Sequence, residues 1–419
     1  MKLQEGVHLH FLEGEKFTTN QILVRFAAPM NQKTVAGRVL LSNMLDMANQ
    51  EYPNSHQFHQ RLAELYGAHF STSVSKKGRV HSIDIKISYI KSSYLPEKSD
   101  LTIPLLDFLY ACLFKPLVKK EAFEKEFFTI EKTNLVNYLD TEVEDHFYHA
   151  DVELSSLFFE DESLKIPRIG KRYLVEKETA ETVYKALQDM IHLDRIDFFF
   201  SGEFDQEEVI NRLKAFRFSY RNPKLEWTYK QDFSNVVREK MERKETGQSI
   251  LELAYHLQSV YRDVNYIPLV VLNGLFGSFA HSKLFVNVRE QEGLAYTIGS
   301  QLNIFSGLLK VYAGIDRENR KKTMRQISKQ LLDIKRGHFT DEELELTKKM
   351  LLHSATLSQD KQGQLIEQAY NKVIFGEQQL ELDEWMEAVK RVSKEDVIRA
   401  SRLVRLQAVY FMEGVELER

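Results

Sequence analysis

The strongest constraint in this chain is that one half of it repeats the other. Thr179-Ala180-Glu181-Thr182-Val183 opens a helix that precedes the apolar strand Phe198-Phe199-Phe200, which ends at Ser201-Gly202. Ser393-Lys394-Glu395-Asp396-Val397 opens another, ahead of Val409-Tyr410-Phe411-Met412 and Glu413-Gly414. A capped helix running into a terminal strand, met twice about 210 residues apart, marks a duplicated domain.

The earlier signals recur in the same order. Ile22, Val24 and Phe26 alternate with polar neighbours as a strand, and Val35, Val39, Leu40, Met44 and Leu45 then share a helical face. A helix over 55–66 ends at Gly67 and leads to strands over 69–75 and 80–90, joined by Lys76-Lys77-Gly78. In the second half, strand 249–255, apolar helix 268–279, helix 282–290, Gly293 and strands 295–302 and 307–315 repeat that series. The expected class is α+β, two homologous halves that are each a mainly antiparallel sheet backed by helices. Between the two series, longer helices are expected over 100–114, stopped by Pro116, and over 121–148.

A length of 419 residues suits two domains of about 200 residues. The stretch from Phe216 to Gly247 is polar, holds Pro223 and has no sustained apolar period apart from a strand-like run near Val236–Met241. It divides the chain into a domain over 1–217, a linker over 218–233 and a domain over 234–419.

Composition narrows the partners. A net charge of -4, with the densest basic run (317–329) on one helix, argues against nucleic acid. Cys112 is the single cysteine and lies in an apolar run, so it reads as a buried, inert thiol of a cytosolic protein. The first residues have no uninterrupted apolar core, and the longest apolar window, 266–280, is too short to span a bilayer. A cytoplasmic protein with no membrane segment is expected.

Arg289-Glu290-Gln291-Glu292-Gly293-Leu294-Ala295-Tyr296 displays a planar multi-donor cation and a phenol at a helix-strand junction. This Arg-x-x-x-Gly-Leu-x-Tyr turn resembles the arginine-tyrosine element in the C-terminal domains of M16 zinc peptidases, the pitrilysin, insulinase and processing-peptidase family. With the duplication and the element order, the resemblance spans essentially the whole chain. It implies two M16-type (LuxS/metallopeptidase-like) domains forming a half-clamshell. It also implies that Arg289 holds substrate backbone carbonyls and that Tyr296 steadies a tetrahedral intermediate. The structural alternative is a helix-terminal ion pair beside a core tyrosine.

Active members carry His-x-x-Glu-His on the first helix, where residues four apart share a face and ligate one zinc ion while the Glu activates its water. Here the helix reads Gly37-Arg38-Val39-Leu40-Leu41-Ser42-Asn43-Met44-Leu45. The resemblance sets Leu40 and Met44 at the two histidine positions and Asn43 at the catalytic Glu. Two apolar side chains hold no zinc, and an amide is no general base. The third ligand position falls on Thr133 or Asn134, with Glu131 reached by a shifted register.

Other arrangements are weaker. His10-Phe11-Leu12-Glu13 begins like the motif but has Gly14 at the second histidine and lies in a strand. His56 with His59, and His146 with His149, are three apart on helices, a spacing compatible with a metal but more often solvent-facing or hydrogen-bonded. Asp140, Glu142, Glu144 and Asp145 read as a solvated helix end. No Gly-x-Ser-x-Gly or P-loop motif is present.

The resemblance therefore implies a non-catalytic M16 chain that binds peptide and complements an active zinc-bearing M16 partner, with zinc expected only in that partner and no cofactor of its own. A homodimer, a purely structural or peptide-binding protein, and a zinc peptidase with ligands such as His56 and His59 are the other expectations.

Overall fold

A computed structural model describes residues 1–376 and 379–415; positions 416–419, the end of the second half, lie outside the described residues. Two compact units divide the chain, one of 1–141 with 166–226 and the other of 142–165 with 227 onward.

The first unit is a six-stranded sheet. Its strands are β1 (Lys2–Gln4), β2 (Val7–Glu13), β3 (Thr19–Pro29), β4 (His69–Lys77) and β5 (Val80–Ile90), with β8 (Arg195–Gly202) entering between β2 and β3. The order is β1-β2-β8-β3-β5-β4, and only β2 and β8 run parallel. A small ribbon of β6 (Val118–Lys119) and β7 (Ala122–Phe123) stands apart. The chain's first eight helices are α1 (Val35–Leu45), α2 (Ser55–Glu64), α3 (Thr102–Phe114), α4 (Lys125–Glu144), α5 (His146–Phe158), α6 (Arg172–Val175), α7 (Ala180–Leu193) and α8 (Gln206–Lys214). All but α5 belong mainly to this unit. Ile22, Val24 and Phe26 of β3 are fully buried, as the apolar alternation requires, and α1 packs against α7.

The second unit repeats this plan. β9 (Arg238–Glu245), β10 (Ser249–Leu257), β11 (Thr297–Asn303), β12 (Leu308–Ile315) and β13 (Val404–Val415) form a sheet ordered β11-β12-β10-β13-β9. Only β9 and β13 run parallel. Read as β9 for β2, β13 for β8, β10 for β3, β12 for β5 and β11 for β4, the order is that of the first sheet without β1. Its helices are α9 (Tyr266–Asn273), α10 (Arg320–Lys335), α11 (Asp341–Ser358), α12 (Gln362–Phe375), α13 (Leu382–Arg391) and α14 (Lys394–Ser401). α14 packs on α9 as α7 packs on α1. Both repeated capping boxes are formed, Thr179 with Thr182 and Ser393 with Asp396.

The helix expected over 121–148 is two helices. The carboxylate of Asp145 accepts the N–H groups of Phe147 (2.9 Å) and Tyr148 (3.1 Å), ending α4 and starting α5 in a new direction. α5 then lays Ala150, Leu154 and Phe158 against Ile250, Ala254, Ala408 and Met412 of the second sheet. That sheet is covered on its other face by α9, α10 and α14, so every residue of β10 is buried. Asp140, in the acidic run, pairs with Arg172 at 2.6 Å.

Stretch 218–233 has no regular element. Up to Glu226 it groups with the first unit, where Arg221 is buried and the Arg79 guanidinium pairs with Glu226 at 2.6 Å. From Trp227 it groups with the second, where the Tyr229 N–H donates to the Phe305 carbonyl at 2.7 Å.

Candidate functional site

The helix expected over 268–279 keeps α geometry only to Asn273. Beyond it the winding widens to π geometry over Gly274–Ser278, and again over Leu284–Gln291. Gly277 permits this path, because a Cβ there would sit 2.5 Å from Ser300 Oγ and 2.8 Å from Ser300 N. π windings are rare and cluster at functional sites, and Arg289 lies inside the second one.

Gly293, at φ +61°, ends the winding; its N–H donates to the Arg289 carbonyl (3.2 Å), and that of Leu294 to the Val288 carbonyl (3.0 Å). Leu294 and Ala295 enter the core, and the Tyr296 N–H bonds the Gly314 carbonyl at 2.9 Å, starting the pairing of β11 with β12. Because its two predecessors fill the core, Tyr296 points outward and is 64% exposed. The core-tyrosine alternative is thereby removed.

The two side chains meet through the backbone. Arg289 Nε donates to the Tyr296 carbonyl at 3.0 Å, an Nη lies 3.2 Å from Glu290, and the guanidinium sits 4.5 Å from the Phe285 ring centre. The Tyr296 hydroxyl donates to Asp316 Oδ1 at 3.0 Å. That bond and the carboxylate charge raise the phenol's pKa, so it remains a neutral donor. Phe285 and Asp316 were not anticipated; an Asp closing the apolar strand 308–315 was the available signal for the second.

At the start of the first unit, Leu40 is 0% and Met44 1% exposed, and Asn43 is half-buried. Leu40 and Met44 are core residues. Two residues past Met44, Asp46 accepts from Thr72 Oγ1 at 3.1 Å; burial raises its pKa. Glu131, buried on α4, is raised first by burial and then by the Asp46 charge. Two reluctant carboxyls thus lie near the end of α1, with no imidazole on the helix itself. Among the described residues no three His, Cys, Asp or Glu side chains converge as a metal would need.

The model of the peptidase M16 inactive domain matches residues 177–351. The chain carries an M16 inactive domain. The "Probable inactive metalloprotease YmfF" of Bacillus subtilis (strain 168) is 28% identical over 98% of this chain and 96% of its own length. A conserved protein from Enterococcus faecalis V583 superposes with a TM-score of 0.96 at 36% identity, covering 100% of this chain and 99% of the other. The peptidase M16 inactive domain from Pseudomonas fluorescens has the same fold, with a TM-score of 0.79 at 16% identity over 99% and 97% of the two chains. This is an inactive M16 peptidase-like protein, in keeping with the apolar residues at 40 and 44.

Two other histidines of this M16 chain are held by carboxylates. His10 bonds the buried Asp197 at 3.1 Å and stacks on Phe199, and His149 pairs with Glu242 at 3.1 Å. His56 and His59 are exposed on α2. Cys112 is buried, which pushes its thiol pKa far up. No helix among the described residues is long and apolar enough to cross a membrane.

Proposed function

We propose that this chain is the non-catalytic half of a two-chain M16 peptidase in the cytoplasm, holding an extended peptide while a zinc-bearing M16 partner cleaves it. What supports this most is a contrast within the chain: apolar residues fill the metal-ligand positions of α1, while Arg289 and Tyr296 keep their donors at an exposed helix-strand junction. The guanidinium donates to backbone carbonyls of the peptide. The phenol, released from Asp316, donates to the oxyanion that develops at the scissile carbonyl.

The test is reconstitution with an M16 chain that carries His-x-x-Glu-His. Each chain alone is expected to be inactive toward an unfolded peptide, and the mixture active. Tyr296→Phe and Arg289→Ala should each lower kcat/KM of the mixture about 100-fold without changing its assembly. Cleavage by this chain alone, or cleavage indifferent to both substitutions, overturns the reading. A homodimer that excludes the second chain in size-exclusion chromatography also overturns it.

A purely structural role is the second reading, favoured by the internal bonds from Arg289 to the Tyr296 carbonyl and from Tyr296 to Asp316. Under it, both substitutions lower the thermal midpoint and leave peptide binding unchanged.

A further inference from the structure

The turn between β10 and α9 builds a cavity of about 300 Å³ that shares no residue with the Arg289–Tyr296 element. Its wall is aromatic. Tyr261, whose ring lies 4.6 Å from that of Phe375 outside the lining, meets Tyr266 edge-on at 4.9 Å, and Trp385 of α13 completes the lining. On the rim Val264 is 88% exposed, an apolar side chain with little to cover it.

Most polar groups of the turn are already engaged. The Asp263 carboxylate accepts the Val260 N–H at 3.1 Å, and the Tyr261 hydroxyl donates to Gln379. Arg262 differs in three ways. Its φ is +76°, a left-handed conformation that strains any residue with a Cβ and is retained where the surroundings or a function demand it. Its guanidinium lies 5.7 Å from the Phe375 ring centre, and its Nε is buried without a hydrogen-bond acceptor. Among the described residues, no carboxylate forms an ion pair with it.

We infer that this cavity binds an apolar carboxylate, namely the free C-terminal end of a peptide that finishes in a large hydrophobic residue. The side chain lies against Tyr261, Tyr266 and Trp385, and the carboxylate completes Arg262. A volume of 300 Å³ accommodates one large side chain rather than a folded surface. Asp263, beside Arg262, tolerates a single negative charge and opposes a dianion such as phosphate. The site stands whether or not the chain works with a catalytic partner.

The experiment uses the full chain with Trp227→Phe, which leaves Trp385 as its one tryptophan. Tryptophan emission is titrated with a short acetylated peptide ending in phenylalanine, as the free acid and as the amide. The acid should shift Trp385 emission saturably and bind about 10-fold more tightly than the amide, because the bond to Arg262 is charge-assisted. Arg262→Gly should raise the thermal midpoint, by relieving the left-handed backbone, and abolish the preference for the acid. Equal binding of acid and amide, no emission change with either, or an Arg262→Gly chain that keeps the preference would overturn the proposal. N-acetylphenylalanine separates the sources: affinity equal to that of the peptide assigns the site to small carboxylates, and weaker affinity assigns it to chain ends. Both results retain the chemistry proposed here.

Discussion

The Tyr296 phenol donates to Asp316 Oδ1 at 3.0 Å across the start of β11 and the end of β12, so the hydroxyl that would face a substrate is held by the chain's own carboxylate. Releasing it requires a competing anion or removal of that carboxylate.

Asp316→Asn should let Tyr296 ionise at a lower pH. The hydrogen bond and the charge both favour the protonated phenol, so removing the charge shifts its titration down toward the ordinary tyrosine value of about 10. Phenolate absorbance, taken as the difference from chains carrying Tyr296→Phe, measures the shift. Identical difference curves with Asp and Asn would remove the electrostatic coupling.

Glu252 makes the fold less stable as pH rises from the acid range to slightly above neutral. It is 1% exposed, one carboxylate oxygen has no partner, and burial raises its pKa to about 8 despite Lys310 at 3.8 Å; Asp151, which itself binds Lys310, opposes ionisation further. The native state therefore holds a proton that the unfolded chain has released above pH 4.5, and stability falls as pH rises from 4.5 to about 8. Glu252→Gln should flatten that decline in thermal midpoint. A decline of equal slope in the variant would assign it to other groups.

His81 acts at the acid end. Its Nδ1 accepts from Arg38 Nε at 3.1 Å and its Nε2 donates to the Arg168 carbonyl at 2.9 Å, so a second proton would meet Arg38; burial, and then that charge, lower its pKa to about 3. Unfolding takes up a proton below 6.5, and stability is lost as pH falls from there toward 3. His81→Ala should cost about 1–3 kcal/mol at neutral pH by orphaning buried groups, while reducing the acid slope. Denaturant titrations at several pH values test both.

Met44→His restores one family imidazole in a position that is 1% exposed. It should cost about 1–3 kcal/mol through an unpaired buried polar group, read as a lower denaturant midpoint. An unchanged midpoint would mean that the position opens to water.

The duplicated order of strands and helices was legible because apolar periodicity and capping boxes are written in adjacent residues. So was the chemistry of the side chains at 40, 43 and 44, none of which is an imidazole or a carboxylate. The break at Asp145 was legible only in part: the acidic run reads as a helix end, but that a new helix starts at His146 and packs on the second sheet depends on contacts distant in sequence. The π windings were not legible, since residues 268–279 and 282–290 have ordinary helical spacing, and the first widening accompanies the close approach of Gly277 to Ser300.

By itself the sequence determined the fold family, the repeat and the absence of zinc ligands on α1, all of them properties of local pattern and side-chain chemistry. Only the tertiary structure decided that Asp316 holds Tyr296, that Arg289 rests on Phe285 and that Arg262 has no ion-pair partner among the described residues. Those partnerships follow from sheet register and helix packing, which bring together residues that no local period relates.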